Sequence, residues 1–279
     1  MLPENNVQYD YEKYKNDLIL YGKNKGFVLN LDNPKTLNDK INWIKIHPTP
    51  LKSFCADKIK VHNYCKEILG EDICIPILKI YSSAKDIKWN ELPKQCVIKC
   101  NHGCAYNIVS TNINSLDKNL TISKLNKWMS IDFSNVAGYE MQYHNIDHKI
   151  FVEKYMGKIA DYKFWCFNGK VKFWTYSEPN NGQPATYINY YDIDGNLTDI
   201  CNEVHPRNDK IKISIPQSLE KMIEISENLA KNFDFVRVDL YEINNKIYLG
   251  ELTFTPGAGW FKFGKDNEML GNLLILNTI

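Results

Sequence analysis

Apolar positions recur at helical spacing near the amino terminus and at strand spacing over most of the remaining chain. Three segments carry an apolar face of helical period and are predicted to be helices: residues 9–25, 36–47 and 53–69. Thr36, with Asp39 three residues later, has the spacing of a capping box. Gly70 follows the third segment, where a C-terminal glycine would end a helix. The pattern therefore predicts a helical amino-terminal region.

Later segments alternate apolar and polar residues and favour strands. Strands are predicted at 73–78, 95–100, 107–111, 149–156, 161–167, 170–176, 236–242 and 246–254. Asn168-Gly169 is a strong turn signal between two of them, and residues 186–199 resemble another hairpin. Helices are predicted at 120–129, at 219–232 and in the tail after residue 261. Because the strands come as hairpins and do not alternate with helices, the fold class is α+β.

The last of these hairpins carries unusual charges. Each of its strands contains an acid, Asp239 and Glu251, that does not belong on an apolar sheet. A buried carboxylate is costly unless it is paired or binds a metal. Carboxylate oxygens on adjacent strands, with Arg237 two residues before the first acid, suit Mg²⁺ that bridges nucleotide phosphates. The spacing fits equally well an ordinary hairpin with two solvated acids.

Side-chain alternation adds a geometric condition to the metal interpretation. Leu249 and Glu251 are two residues apart and are expected to share one face of their strand. For Asp239 and Glu251 to stand opposite each other on one face, the turn must have an odd number of residues centred on Asn245. The turn is therefore predicted to be an odd-length loop, such as the three residues Asn244-Asn245-Lys246.

Composition excludes several classes of protein. The 279 residues are 44% hydrophobic and 24% charged, and the formal net charge of +1 with scattered basic residues gives no sign of a nucleic-acid partner or an anionic membrane. Neither a signal peptide nor a transmembrane run is visible, which favours a cytoplasmic protein. The eight cysteines contain no CxxC pair and are expected to be free thiols. The sequence gives no indication of oligomeric state.

Common nucleotide motifs are absent, but a set of charged residues occurs in a suggestive order. There is no P-loop, no GxGxxG and no kinase signature. Two spaced lysines can offset phosphate charge, a strand edge can hydrogen bond adenine, and two acids can hold a divalent metal. In chain order, the residues that could do so are Lys58, Lys99 with the loop 101–103, the strand end at Glu153, and the pair Asp239 and Glu251. Together they describe a nucleoside triphosphate site without a P-loop.

Several strings resemble the TupA-like ATP-grasp family of bacterial surface-polysaccharide biosynthesis. They are LNDKINWIK (37–45), DKIKVHNY (57–64), IPILKIY (75–81), LPKQCVIKCNHG (92–103), DYKFWCFNGKVKF (161–173) and FVRVDLYEINNKIYLGELTFTPGAG (235–259). The resemblance implies an ATP-grasp fold, in which two mixed or antiparallel α+β subdomains sandwich ATP. It implies a helical region at 1–90, a small subdomain at 91–157 and a large subdomain at 158–279.

The resemblance also implies roles for individual residues. Lys58 and Lys99 resemble the phosphate-contacting lysines. The other nucleotide-binding positions that it implies are His102, Gly103, Glu153, Lys154, Tyr155, Met156 and Asp161, with the segment 153–156 as the adenine hinge. Arg237 and Lys163 are implied as catalytic residues that contact phosphate or an acyl phosphate. Asp239, Glu251 and Thr253 are implied as Mg²⁺ ligands.

The implied reaction is ATP-dependent amide formation between a carboxylate and an amine. The carboxylate would be a uronic acid or another sugar-linked acid, and the amine an amino acid or amino sugar, for a capsule, O-antigen or teichuronic-type polymer. A sugar or polyol kinase shares the same active-site parts. A nucleotide-sugar glycosyltransferase would need a DxD motif, and Asp192-Ile193-Asp194 fits that pattern but is interpreted as a turn. A non-catalytic nucleotide binder is a further alternative.

Two departures from the family pattern affect the site. Thr253 stands where the wider superfamily usually has Asn, and Cys104-Ala105-Tyr106 replaces a glycine-rich run after Gly103. Side chains there hinder close approach of the backbone to phosphate. Aromatic residues that could stack on a sugar ring are Trp174, Tyr187, Tyr190 and Trp260.

Overall fold

The computed structural model describes residues 11–178 and 186–277. Within these ranges the chain forms seven α-helices and nine β-strands. The helices are α1 (Tyr11–Asn24), α2 (Leu37–Lys45), α3 (Pro50–Ala56), α4 (Val61–Leu69), α5 (Lys118–Met129), α6 (Leu219–Ala230) and α7 (Asp266–Asn272). The Thr36–Asp39 capping box is present at the start of α2, and Gly70 ends α4 with φ of 77°. No helix in the described ranges is long and apolar enough to cross a membrane.

The strands form two antiparallel sheets. The smaller sheet has the order β1 (Ile77–Tyr81), β4 (Ile150–Lys154), β2 (Cys96–Cys100) and β3 (Asn107–Ser110). The larger sheet has the order β7 (Tyr190–Tyr191), β6 (Lys170–Ser177), β5 (Asp161–Phe167), β8 (Phe235–Ile243) and β9 (Lys246–Thr253). The predicted α+β class is therefore confirmed. The three-part division of the chain stays a prediction, and the small sheet takes β1 from before residue 91.

The amino-terminal helices pack against the larger sheet. Leu37 and Ile41 of α2 belong to one hydrophobic cluster with Trp165 and Phe235 of the sheet. Tyr64 of α4 donates a hydrogen bond from its hydroxyl to the Leu229 carbonyl at 2.9 Å. Helix α2 therefore covers one face of the large sheet, whereas α4 packs with α6 against the other face.

The single helix predicted at 53–69 is wrong. The chain forms α3 and α4 with a turn between them, because the Asp57 carboxylate accepts hydrogen bonds from the backbone amides of Ile59 (2.9 Å) and Lys60 (3.3 Å). These bonds satisfy amide groups that a continuous helix would use otherwise. Lys58 consequently lies in a turn and not within a helix.

Two other predicted strands differ from the structure. The strand expected at 73–78 begins at Ile77, and Cys74 makes only an isolated parallel bridge with Leu249. The hairpin expected at 186–199 is reduced to β7, which pairs with β6, and a bridge between Tyr191 and Leu197. Part of its neighbourhood, at 179–185, lies outside the described residues.

The predicted odd-length turn is also wrong, although Asp239 and Glu251 still stand opposite each other. Asn244 and Asn245 form a two-residue turn, with φ of 51° and 61°, between Ile243 and Lys246. The register changes at Gly250, where a β-bulge inserts one residue opposite the Asp239–Leu240 step. A Cβ atom on Gly250 would lie 2.8 Å from the Tyr241 ring, which explains the glycine.

The bulge changes which residues of β9 point to the same face of the sheet. Asp239 pairs directly with Glu251, as the metal interpretation requires. Leu249 pairs with Leu240 instead, and both are buried in the core. The expectation that Leu249 and Glu251 share a face is therefore wrong, because the extra residue reverses the alternation between them.

Candidate active site

Three neighbouring strands of the large sheet build a charged cluster around Asp239. Asp239 is 1% exposed and pairs with Lys163 across β5 and β8. Its carboxylate accepts hydrogen bonds from Arg237 Nε and Nη2, both at 2.6 Å, and from Lys163 Nζ at 3.0 Å. Lys163 also bonds to Asp161. The predicted catalytic pair, Arg237 and Lys163, thus surrounds one predicted metal ligand.

Glu251 and Thr253 complete the cluster from β9. Arg237 Nη2 lies 3.2 Å from Thr253 Oγ1 and 3.6 Å from Glu251 Oε1. The Thr253 hydroxyl donates to Glu251 Oε1 at 3.3 Å, and Lys58 Nζ lies 3.8 Å from Glu251 Oε2. All three proposed metal ligands therefore meet around one guanidinium.

Burial and pairing set the protonation of this cluster. Burial raises the pKa of Asp239, but the neighbouring Arg237 and Lys163 outweigh it and hold that pKa below its usual range. Burial, followed by repulsion from Asp239, raises the pKa of Asp161 to about 6. Burial lowers the pKa of Lys163, but attraction to the two acids leaves it raised. Near neutral pH the two cations are therefore charged beside a carboxylate anion.

The oxygen atoms of this site fit a hard divalent cation. Arg237 Nη2 stands between Asp239 Oδ2 and Glu251 Oε1, so the two carboxylates already attract a cation, and the guanidinium would have to withdraw before a metal ion could take this place. Carboxylate and hydroxyl oxygens are the ligand types that Mg²⁺ prefers. Asp239, Glu251 and Thr253 are thus the residues that would hold the metal.

A cleft of about 810 Å³ lies between the smaller sheet and the β5–β6 strands. Lys99 of β2 and Glu153 of β4 face it and form an ion pair of 2.5 Å. The predicted adenine hinge, residues 153–156, lines the cleft and is followed by Gly157 with φ of 89°. Asp161 and Lys163 line its other side. The cleft therefore brings most of the predicted nucleotide-binding residues to one space.

The loop after β2 is built around Asn101. The side-chain nitrogen Nδ2 of Asn101 donates to Asp57 Oδ1 and to the Asp147 carbonyl, both at 3.0 Å. Its side-chain oxygen Oδ1 accepts from the backbone amide of Lys149 at 2.7 Å. Lys58 is hydrogen bonded to the same loop at two points. Its backbone amide donates to the Asn101 carbonyl at 3.2 Å, and its Nζ donates to the Gly103 carbonyl at 2.8 Å. The turn with Lys58 and this loop are therefore one connected unit.

Gly103 and His102 have packing partners in this loop. A Cβ atom on Gly103 would lie 2.7 Å from the Phe133 ring, so a side chain does not fit there. The His102 side chain is fully buried, stacks on His148 with ring centroids 3.5 Å apart, and has Nε2 3.0 Å from the Trp128 carbonyl. Burial lowers the pKa of His102 to about 4. The imidazole is therefore neutral, and its contacts with His148 and Trp128 hold the loop in place.

A second cavity of about 530 Å³ adjoins the cleft. Lys163, Ser177 and Glu178 line both spaces. Arg237 lines the second one, together with a set of aromatic residues: Trp165, Tyr176, Tyr187, Tyr190, Trp260 and Phe261. Of the four aromatic residues considered for sugar stacking, Trp174 does not reach it, since this side chain is fully buried with Nε1 bonded to the Asp192 carbonyl at 2.8 Å. The cluster around Asp239 therefore stands at the junction of two cavities.

Two buried charged residues near this junction, Lys45 and Glu140, were not among the site residues predicted from the sequence. Lys45 is fully buried, and Glu140 is 6% exposed and accepts a hydrogen bond from the Thr255 hydroxyl. Lys45 follows Leu37 and Ile41 at intervals of four on α2, so a lysine on the apolar face of the predicted helix was a usable signal. Glu140 lies in irregular structure and has no such signal.

Other candidate metal sites have structural explanations. Asp192 Oδ1 accepts hydrogen bonds from the amides of Asp194 and Asn196 at 3.0 and 2.8 Å, which confirms that the DxD pattern is a turn. None of the eight cysteines is in a disulfide, and six of them are buried. In the described ranges, His62, Asp72 and Cys74 form a further group of metal-ligating types, but His62 Nδ1 already lies 2.9 Å from the Asp72 carboxylate.

Two antiparallel sheets enclose a cleft, with lysines on the small-sheet side and acids on the large sheet, as expected for an ATP-grasp fold. A family model described as TupA-like ATPgrasp matches residues 39–275. The chain belongs to this family, as the sequence resemblance predicted. No curated protein matches the chain.

Solved structures with a similar fold are distant in sequence. D-alanine–D-alanine ligase from Bacillus anthracis, complexed with ATP, is 18% identical over 73% of this chain and 55% of its own, with a TM-score of 0.40. The corresponding ligase from Helicobacter pylori is 16% identical over 88% of this chain and 71% of its own, with a TM-score of 0.47. L-amino acid ligase from Bacillus licheniformis is 13% identical over 76% of this chain and 46% of its own, with a TM-score of 0.46. The chain thus spans about half the length of two of these ligases.

Proposed function

We propose that this protein is an ATP- and Mg²⁺-dependent ligase that joins a carboxylate to an amine, in bacterial surface-polysaccharide biosynthesis. Family membership supports ATP as the nucleotide. The observation that carries the proposal is the position of the Arg237–Lys163–Asp239 cluster at the junction of two cavities. A phosphoryl group that passes from one cavity to the other has to cross this junction.

The larger cleft suits the nucleotide. Lys99 supplies a positive charge on β2, and the segment 153–156 lines the cleft at the end of β4, where its backbone can meet the adenine edge. Lys58, on the connected loop, lies beside the proposed metal ligands, with Nζ 3.8 Å from Glu251 Oε2. In this arrangement Asp239, Glu251 and Thr253 would hold Mg²⁺, which would supply positive charge to neutralise the phosphates.

The aromatic cavity suits the acceptor. Arg237 and Lys163 reach it and can bind a carboxylate, and the partly exposed rings of Tyr187 and Trp260 can cover the apolar face of a sugar. A uronic acid combines these two features. We therefore assign the acceptor to this class, with an amino acid or amino sugar as the amine.

The reaction divides into two steps that balance. An acceptor carboxylate oxygen attacks the γ-phosphorus, the bond to the β-γ bridging oxygen breaks, and ADP and an acyl phosphate form. The amine then attacks the acyl carbon, the carbon–oxygen bond to phosphate breaks, and an amide, inorganic phosphate and a proton are released. Arg237 and Lys163 stabilise the charge that develops on the transferred group.

The test is a requirement for both substrates. D-glucuronic and D-galacturonic acid are each combined with a panel of amino acids and amino sugars, and ADP release is measured with ATP and Mg²⁺. We expect ADP release only with an acid and an amine together, and transfer of ¹⁸O from labelled carboxylate to phosphate. ADP release without an amine, with a stable phosphorylated sugar, would instead establish a kinase.

A further inference from the structure

A buried polar stripe on α2 faces the wall of the aromatic cavity. Asn38, Asn42 and Lys45, at intervals of four and three residues, lie on one face of the helix and are each less than 5% exposed. We call these three residues the α2 stripe. Burying a polar side chain costs free energy unless the side chain forms hydrogen bonds with a partner. Each of the three contacts the same short segment, residues 259–261.

The contacts run in parallel along this segment. Asn38 Nδ2 donates to the Phe261 carbonyl at 2.8 Å, and Asn42 Nδ2 donates to the Gly259 carbonyl at 2.9 Å. Lys45 Nζ lies 4.3 Å from the centre of the Trp260 ring and donates to the Ala137 carbonyl at 3.2 Å. Trp260 Nε1 donates to the same carbonyl at 3.1 Å. The stripe therefore fixes both the backbone and the indole of this segment.

The segment needs such support because its backbone is strained. Gly257, Ala258 and Gly259 all have left-handed φ, of 57°, 51° and 72°. A non-glycine residue such as Ala258 persists in this region only when its surroundings hold it. Thr255, just before the turn, is held by its bond to the buried Glu140 and accepts from Gln142 Nε2 at 2.7 Å.

The held segment is part of the cavity and not of the nucleotide cleft. Gly257, Trp260 and Phe261 line the aromatic cavity, and none of them lines the larger cleft. We propose that the α2 stripe and Glu140 are positioning residues that set the shape of the acceptor pocket by holding Trp260 in its wall. This inference rests on the proposed function, because it assigns the cavity to the acceptor.

The substitution Lys45→Met removes the ammonium group and keeps a side chain of similar length. We expect the KM for the uronic acid to rise about tenfold, which corresponds to about 1.4 kcal/mol. The KM for ATP should stay within about twofold, because the cleft residues lie on other elements. Asn42→Leu, which removes the bond to Gly259, should give the same split. An equal rise in both KM values would overturn the proposal.

A matched control is present in the same helical region. Lys52 of α3 is also buried, at 6% exposed, but its ammonium contacts the carbonyl of His47 at 3.4 Å, and His47, unlike Trp260, does not line the cavity. Lys52→Met should therefore leave the KM for the acid unchanged. If it raises that KM as much as Lys45→Met, the effect is a general cost of removing a buried lysine and the inference is wrong.

A second measurement needs no substrate. Burial lowers the pKa of Lys45 to about 7, against attraction from Glu140 and with a further decrease from Lys25. Loss of the proton removes the cation from the Trp260 face, so the fluorescence of Trp260, taken as the difference from Trp260→Phe, should titrate near pH 7. The transition should vanish in Lys45→Met, and its persistence there would refute the contact.

The two measurements separate the possible failures. If no acid and amine pair releases ADP from the unmodified protein, the proposed function fails. The fluorescence titration still decides whether Lys45 holds Trp260. If ADP is released and the KM split is absent, the function stands and the positioning inference fails.

Discussion

Replacing Asp239 and Glu251 one at a time separates the contribution of each acid to the stability of the fold from its contribution to metal binding. Asp239→Asn and Glu251→Gln each remove one negative charge with little change of shape. Asp239 is almost fully buried and accepts three charged hydrogen bonds, whereas the Glu251 side chain is 31% exposed and its cations lie at 3.6 and 3.8 Å. The same chemical change is therefore expected to have unequal effects.

The expected magnitudes follow from these contacts. Removing one partner of a buried ion pair costs about 3–5 kcal/mol, and Asn keeps one oxygen acceptor, so Asp239→Asn should lower the free energy of unfolding by about 3 kcal/mol. Glu251→Gln should cost about 1 kcal/mol or less, as for partly exposed pairs. Both variants should lose the Mg²⁺-dependent part of any stabilisation by ADP, since each lacks a ligand.

Urea unfolding measures the first effect, because urea is uncharged and leaves ion pairs unscreened. Thermal unfolding with ADP, with and without Mg²⁺, measures the second. Glu242→Gln, on the same hairpin but outside the cluster, is the matched control and should change neither. Equal losses of stability for the two acids would refute the burial argument. Mg²⁺-dependent stabilisation that survives in either variant would refute that metal assignment.

Three further predictions concern single residues. Lys99→Met should weaken binding of Mg-ADP by about tenfold in a calorimetric titration, because a cation in the cleft is lost, whereas Lys172→Met on β6 should leave it unchanged. Because the pKa of Asp161 is raised from 3.8 to about 6, the native state binds more protons in that window and stability falls as pH rises; Asp161→Asn should remove this fall in urea unfolding at several pH values. Gly250→Ala should destabilise the fold by about 1–3 kcal/mol in urea, since its Cβ would meet the Tyr241 ring at 2.8 Å, and an unchanged midpoint would contradict the steric explanation.

Local patterns predicted the elements that depend on local interactions. The capping box at Thr36 and the end of α4 at Gly70 are formed by residues within a few positions of each other. The opposition of Asp239 and Glu251 was expected only as a condition of the metal interpretation, and the two residues do pair. Its actual cause, the bulge at Gly250, was not, because it depends on how the Tyr241 ring packs across the hairpin.

The missed features depend on contacts between distant parts of the chain. The break between α3 and α4 is fixed partly by Asp57, whose carboxylate also binds Asn101, which is 44 residues away. Lys45 and Glu140 are near enough to interact electrostatically because α2 and the loop at 137–140 pack together beside Trp260. No periodicity in a single segment contains this information.

The junction at Asn101 also has a mechanical consequence. Its side chain joins the turn with Lys58, the loop after β2 and the start of β4 through three hydrogen bonds. A relative rotation of the two sheets that preserves these bonds has its pivot there. Lys99, two residues away, lies close to this point, whereas residues 153 and 154 pair with the far end of β2, at Val97 and Cys96. Any such rotation would therefore move the segment 153–156 farther than it would move Lys99.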